Sequence, residues 1–281
     1  MLRQRVITAV VLLLILLPAL FYPSASPFCL AALVLIAAGA WEWARLNGYS
    51  QRGAFLASGV CACACAVAWR LDALEHGSAL LWAVAGACWV LAGCWVLYRG
   101  VAAWSEHPRL SRLVVGLCAL WLAWLAVAQA KVIGTNFLLS VLLLVWVADI
   151  FAYFTGRAFG GRVCHRRLAP SISPGKSWEG VWGGMLGVVI MAYTWRWIDN
   201  AWAVSVPSLF SQLGAKGAGL LFVGALFLTM MSVVGDLFES LVKRSAGVKD
   251  SSALLPGHGG VLDRVDALLP TLPLAMLLYS V

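Results

Sequence analysis

Runs of about 16 to 22 residues almost free of charge recur from one end of this sequence to the other, and they leave few folds open. A segment of that length crosses a hydrocarbon core as an α-helix. The apolar residues are continuous, not alternating, which selects helices over a membrane β-barrel. Only 11% of the 281 residues are charged and the mean hydropathy is +0.90, whereas soluble domains carry about 25% charged residues. The sequence therefore predicts an all-α, polytopic integral membrane protein.

Nine transmembrane helices are expected, near 6–21, 28–44, 54–69, 79–98, 113–130, 137–155, 181–195, 219–238 and 267–281. With the N-terminus in the cytoplasm and the C-terminus on the outer side, only Arg70, Lys131, Arg196 and Lys216 of the 20 basic residues fall in outer connections. That asymmetry is what the positive-inside rule demands, and it attributes the net charge of +8 to topology and anionic substrates, not to nucleic acid. Arg3, Arg5, the following apolar run and Ser24, Ala25 and Ser26 also fit a cleavable secretory signal, the alternative at this end. Trp195, Trp197, Trp202 and Phe210 give the connection before Lys216 the composition of a membrane-hugging anchor. Glu42 and Trp43 fit an interfacial belt, with Arg45 as a partner for Glu42 three residues on. No repeat or long linker divides the chain. Residues 1–135 are expected to act as scaffold and 136–281 as the catalytic region.

The eight cysteines lie mostly in apolar runs with no histidine or carboxylate beside them, which fits small packing residues better than zinc ligands. Chemistry is confined to two stretches that this topology puts on the cytoplasmic face. In the first, 148–180, Asp149 sits at membrane depth, where an ionisable group is costly and marks function or an ion pair with Arg157. Arg157, Ser171, Ser173, Lys176 and Ser177 supply forked donors, hydroxyls and an ammonium suited to phosphate, with the N-terminus of the next helix near Ser177. Gly175-Lys176-Ser177 lacks the earlier glycine and the preceding strand of a Walker A motif. A positive-inside loop attracted to anionic lipid is the alternative.

In the second stretch, 235–266, helical continuation puts Asp236, Glu239 and Ser240 on one face, and Asp250, Asp263 and Asp266 bracket the turn Gly257-His258-Gly259-Gly260. Magnesium takes one or two carboxylates and shares its remaining positions with water and substrate phosphates, which this cluster could provide. Lys243, Arg244, Lys249 and Arg264 are candidates for the phosphate oxygens that do not face metal. His258 is open to a structural, phosphate-contact or proton-transfer role.

The order and spacing of Ser240, Lys243, Arg244, Lys249, Asp250, Pro256, His258, Gly259, Gly260, Asp263, Arg264 and Asp266 resemble the C-terminal signature of the phosphatidate cytidylyltransferases, or CDP-diacylglycerol synthases. Asp149, Ala152, Tyr153, Gly156, Arg157, Phe159, Gly160, Leu168, Pro170, Ser173, Pro174, Lys176, Trp178, Glu179 and Gly180 resemble an upstream block of the same family. Phe151 stands where that pattern usually has a small residue, and Ser177 where Thr is usual. The resemblance implies cytidylyl transfer from CTP to phosphatidate, giving CDP-diacylglycerol and pyrophosphate. Magnesium, with room for a second metal ion, is then expected on Asp236, Asp263 and Asp149. The catalytic set is Asp236, Asp263, Lys243, Arg244, Lys249, Asp250, Arg264 and His258, with Ser171, Ser173, Lys176, Ser177, Arg157, Gly259 and Gly260 holding the nucleotide.

A phosphate monoester is largely ionised at neutral pH, so no general base is demanded and His258→Ala is expected to lose less activity than Asp263→Ala. Expected partners are CTP, phosphatidate, the surrounding lipids of a bacterial-type cytoplasmic membrane and a second copy in a homodimer. An ion-coupled transporter and a CTP-dependent lipid-alcohol kinase are the rival readings.

Overall fold

The structure, a computed structural model, describes residues 2–280, and among them every regular element is a helix. They run α1 (Leu2–Phe21), α2 (Ser26–Leu46), α3 (Gln51–Arg70), α4 (Ala79–Ala87), a π-helical segment (Cys88–Gly93), α5 (Cys94–Glu106), α6 (Arg109–Ile133), α7 (Thr135–Phe159), α8 (Trp178–Ala201), α9 (Leu209–Lys216), α10 (Ala218–Ser245), α11 (Leu262–Val265) and α12 (Leu268–Ser280). Serine starts several of them: the hydroxyls of Ser50, Ser78, Ser177 and Ser208 accept N–H groups of the first turns of α3, α4, α8 and α9. Gly134, at φ 152°, alone links α6 to α7, and a Cβ there would lie 2.7 Å from Val206.

Among the described residues, seven stretches are long and apolar enough to cross a membrane: α1, α2, α3, the α4-to-α5 unit, α6, α7 and α10. By that measure the expected nine are not reached. The other two expected spans fall on α8, which carries Glu179, Arg196 and Asp199, and on α12, whose 13 residues reach only about 20 Å. Burial explains the apolar character of α12. Its residues 269–276 are buried without interruption, among α4, α6, α7, α9 and α10, as in a helix enclosed on all sides. It runs from beside α10 near Asp266 to Tyr279, whose carbonyl accepts from Lys216 at 3.2 Å.

Two expectations for the outer face are corrected. Lys131 is not in a connection but buried within α6, where its ammonium donates to the carbonyl of Leu20 at 2.7 Å and to Thr135 at 2.9 Å, closing the end of α1. Phe210 is not an interfacial anchor but fully buried in α9, while Trp197 and Trp202 remain exposed. The polar group that fixes this end is Asp199, which accepts from Asn136, Ser208 and Ser211.

The site rests on the pairing of α7 with α8. Gly183, Gly184 and Gly187 let the two backbones approach: a Cβ would lie 2.0 Å from Thr155, 2.9 Å from the carbonyl of Ala148 and 2.4 Å from the ring of Phe151, respectively. Gly187 therefore accommodates the large side chain at position 151.

Candidate functional site

A cavity of about 350 Å³ lies between α7, the start of α8 and α10. The stretch between α7 and α8 folds back on itself before entering it. Ile172 is buried as a plug, Leu168 N–H donates to the carbonyl of Lys176, and Ser173 N–H to that of Ala169. This turn delivers the Lys176 ammonium to the Asp236 carboxylate, an ion pair between residues 60 apart in sequence. Asp149 lines the same cavity, as do Arg157 and Ser177. Arg157 does not pair with Asp149; it donates to the Tyr153 hydroxyl at 2.9 Å from an exposed position. The Ser177 oxygen caps α8 by accepting Gly180 N–H at 3.2 Å. Ser171 lies at the exposed tip of the turn and Ser173 is half-buried, and neither lines the cavity.

The signature residues form a second assembly beside it. Lys243, buried on α10, has its ammonium 2.5 Å from both Glu239 and Asp263. The other oxygen of Asp263 accepts Ser251 N–H at 2.9 Å, the Ser251 hydroxyl at 2.9 Å and Gly260 N–H at 2.8 Å. Burial alone would raise this carboxyl, but Lys243 and the N–H groups of Gly260 and Ser251 hold it below the ordinary value. Asp266 accepts a single N–H, from Ala267 at 2.8 Å, and burial, reinforced by the charge of Asp236, outweighs it and raises this carboxyl above the usual range. Gly259 has φ 82°, and a Cβ there would lie 2.7 Å from Asp263. Gly260, expected among the residues that hold the nucleotide, gives its N–H to Asp263.

Arg264 donates to the carbonyl of His258 at 2.6 Å, so the visible contribution of His258 is its backbone, while its Nδ1 is buried without a partner. Arg244 donates to the carbonyls of Ile172 and Val248, joining the two sequence blocks. Lys249 and Asp250 are exposed.

Two acids outside the expected set hold this arrangement. Glu42 is fully buried and accepts Val261 N–H at 2.9 Å, Leu262 N–H at 2.7 Å and the hydroxyls of Ser251 and Ser252 at 3.1 and 2.5 Å. It is not a belt residue paired with Arg45, which donates to the carbonyl of Tyr49. A lone carboxylate inside an apolar helix was the signal for it. Glu179 accepts the N–H groups of Cys164, Gly161 and Val163, at 2.8, 3.1 and 3.1 Å, which pulls its carboxyl down to about 2. It pins the loop after α7 to the start of α8.

Among the described residues no three His, Cys, Asp or Glu side chains converge on one point, and all eight cysteines are free. The available donors are carboxylate oxygens, and Asp236 and Asp263 each already face an ammonium group, Lys176 and Lys243. Sites that attract positive charge and offer only one or two carboxylates fit magnesium, which completes its shell with water and phosphate. They do not fit zinc.

Residues 3–281 match the model of a family described as the cytidylyltransferase family. The phosphatidate cytidylyltransferase of Pseudomonas aeruginosa is 42% identical over 290 residues, covering 100% of this chain and 98% of that protein. That of Haemophilus influenzae is 37% identical over 299 residues, covering 99% of each. The Thermotoga maritima enzyme of the same name is 44% identical over 144 residues, 51% of this chain and 48% of its own.

Proposed function

Because this chain belongs to the cytidylyltransferase family, we propose that the cavity of Asp149, Lys176 and Asp236 is where it transfers a cytidylyl group from CTP to phosphatidate. The chain is a nucleotidyltransferase, a phosphatidate cytidylyltransferase producing CDP-diacylglycerol and pyrophosphate. The observation that carries the siting is the Lys176 to Asp236 pair, which joins the two chemistry-bearing blocks in one cavity beside Asp149.

In this reading an ionised oxygen of the lipid phosphate attacks the α-phosphorus of CTP, and the bond to the β-phosphate bridging oxygen breaks. Both substrates are anions, so the chain must neutralise and align them. Lys176 and Arg157 do so from the cavity, and Lys243 and Arg244 support the same face. Magnesium would be held by Asp236 and Asp149, which line the cavity, and would supply charge neutralisation at the phosphates, while Asp263, expected as a further ligand, would hold the neighbouring loop through Lys243, Ser251 and Gly260. Ser177 sets the start of α8, and Glu42 sets the signature loop, so residues 1–135 support the chemistry of 136–281. The remaining topology belongs to the same reading: nine spans with α8 and α12 included, N-terminus and site on the cytoplasmic side of a bacterial inner membrane. The basic residues concentrated at that face support it.

The test is labelled CTP with phosphatidate or, separately, a polyprenol, with and without magnesium, on purified wild type and Asp236→Asn. Magnesium-dependent CDP-lipid from phosphatidate alone, lost in the variant, is the expected result. Phosphorylation of the polyprenol, or full activity in Asp236→Asn, would overturn it.

A further inference from the structure

A second, larger hollow of about 470 Å³ lies on the other side of α10, between the α4-to-α5 unit and the first half of α6. It shares no lining residue with the Asp149 cavity. Its two ends differ in chemistry. His107, Ser111 and Arg112 line one end, and from Val114 to Leu122 along α6 the lining is apolar. Arg112 and Leu122 are ten residues apart on one helix, about 15 Å.

Arg112 is the informative residue. Its backbone carbonyl accepts the indole N–H of Trp43 at 2.9 Å, which fixes its position. Its Nε is buried with no hydrogen-bond partner, and no acid pairs with it among the described residues. A buried donor on a charged group is costly unless satisfied. A guanidinium fork with no protein anion is complementary to a phosphate diester. Beside it, Trp95 carries Arg99 over its ring at 5.4 Å and lies 6.0 Å from the ring of His107, an arrangement suited to the headgroup level of a bilayer. The opposite wall is the π-helical segment Cys88–Gly93, and such segments are frequent at functional sites.

We propose that this groove binds an anionic phospholipid, its phosphate at Arg112 and one acyl chain lying along α6 towards Leu122. The site is separate from the catalytic cavity, although both adjoin α10. Phe238, two residues from Asp236, forms part of the groove wall and stacks on Trp43 at 6.0 Å. The inference depends on the chain being embedded in a membrane and not on the catalytic reading.

The full chain in detergent, exposed to phosphatidylglycerol bearing a diazirine on its acyl chain, should be labelled within 88–96 and 112–122. Arg112→Ala, which removes the phosphate donor, and Ala92→Trp, which fills the groove and keeps Arg112, should each reduce labelling about tenfold. Thermal unfolding of each variant separates loss of binding from loss of fold. If Arg112→Ala does not fold, Ala92→Trp carries the test. A phosphatidylcholine probe with the same chain should label weakly and respond little to Arg112→Ala. Unlabelled phosphatidylglycerol should displace the probe; displacement by phosphatidate at much lower concentration would assign the groove to the lipid substrate, and displacement by both at similar concentration to anionic lipid in general, and both support the site. Equal labelling by the two probes, labelling unchanged in folded variants, or labelling confined to the Asp149 cavity would overturn it.

Discussion

The Asp149 cavity and the signature loop contain similar residue types, acids facing lysines, but use them differently. In the loop, Asp263, Glu42 and Lys243 direct their charge at other protein groups: one oxygen of Asp263 accepts three donors and the other meets Lys243. In the cavity, Asp236 meets only Lys176 and, at 3.3 Å, the Ser240 hydroxyl, beside an open space lined by Asp149 and Arg157. Density of charge in a sequence therefore does not distinguish a residue that holds a loop in shape from one that meets substrate. The number of protein partners does.

Lys243→Met makes the sharpest test of this contrast. It leaves Glu239 and Asp263 as buried acids without their cation, and should lower stability by about 3–5 kcal/mol, read by thermal unfolding in detergent. A stable but inactive Lys243→Met would mean that the loop faces substrate as the cavity does. Asp236→Asn should do the reverse, reducing turnover about 10²–10³-fold with little change in unfolding. If it unfolds instead, Asp236 belongs with the structural acids.

Glu42→Gln should fall between them. An amide cannot accept all that the two carboxylate oxygens accept, so at least one buried donor is left unmatched at about 1–3 kcal/mol. Activity should decline with stability and not ahead of it, and a KM change without destabilisation would contradict this. The smallest effect is expected from Ser177→Ala, which removes the cap of α8 and should cost about 1 kcal/mol, with Ser177→Thr restoring it. Rescue of activity but not stability by Thr would point to a substrate contact.

The helices were legible because hydropathy and length are local properties. So was the oddity of Asp149, an acid in an apolar run, which lines the cavity. The same rule applied to Glu42, yet the neighbouring Trp43 and Arg45 gave it the look of an interfacial belt. What it binds lies about 220 residues away and leaves no local trace. The Lys176 to Asp236 pair is non-local in the same way. The π-helical segment was invisible because Cys88–Gly93 is an ordinary apolar sequence. Hydropathy alone could not show that α12 is short and enclosed, since a helix surrounded by other helices and one facing lipid are equally apolar. The departure at Phe151 is matched by Gly187, which leaves room for its ring and lies on a different helix.

The bond between Glu42 and Leu262 also imposes an order in time. During synthesis at about 5–20 residues per second, α2 is complete roughly 10–40 s before the N–H groups that its carboxylate needs have been made. Throughout that interval a buried position in a membrane helix carries an acid with none of its final partners. The N-terminal helices must therefore remain loosely associated, or keep Glu42 in contact with water, until the last tenth of the chain arrives to close the fold around it.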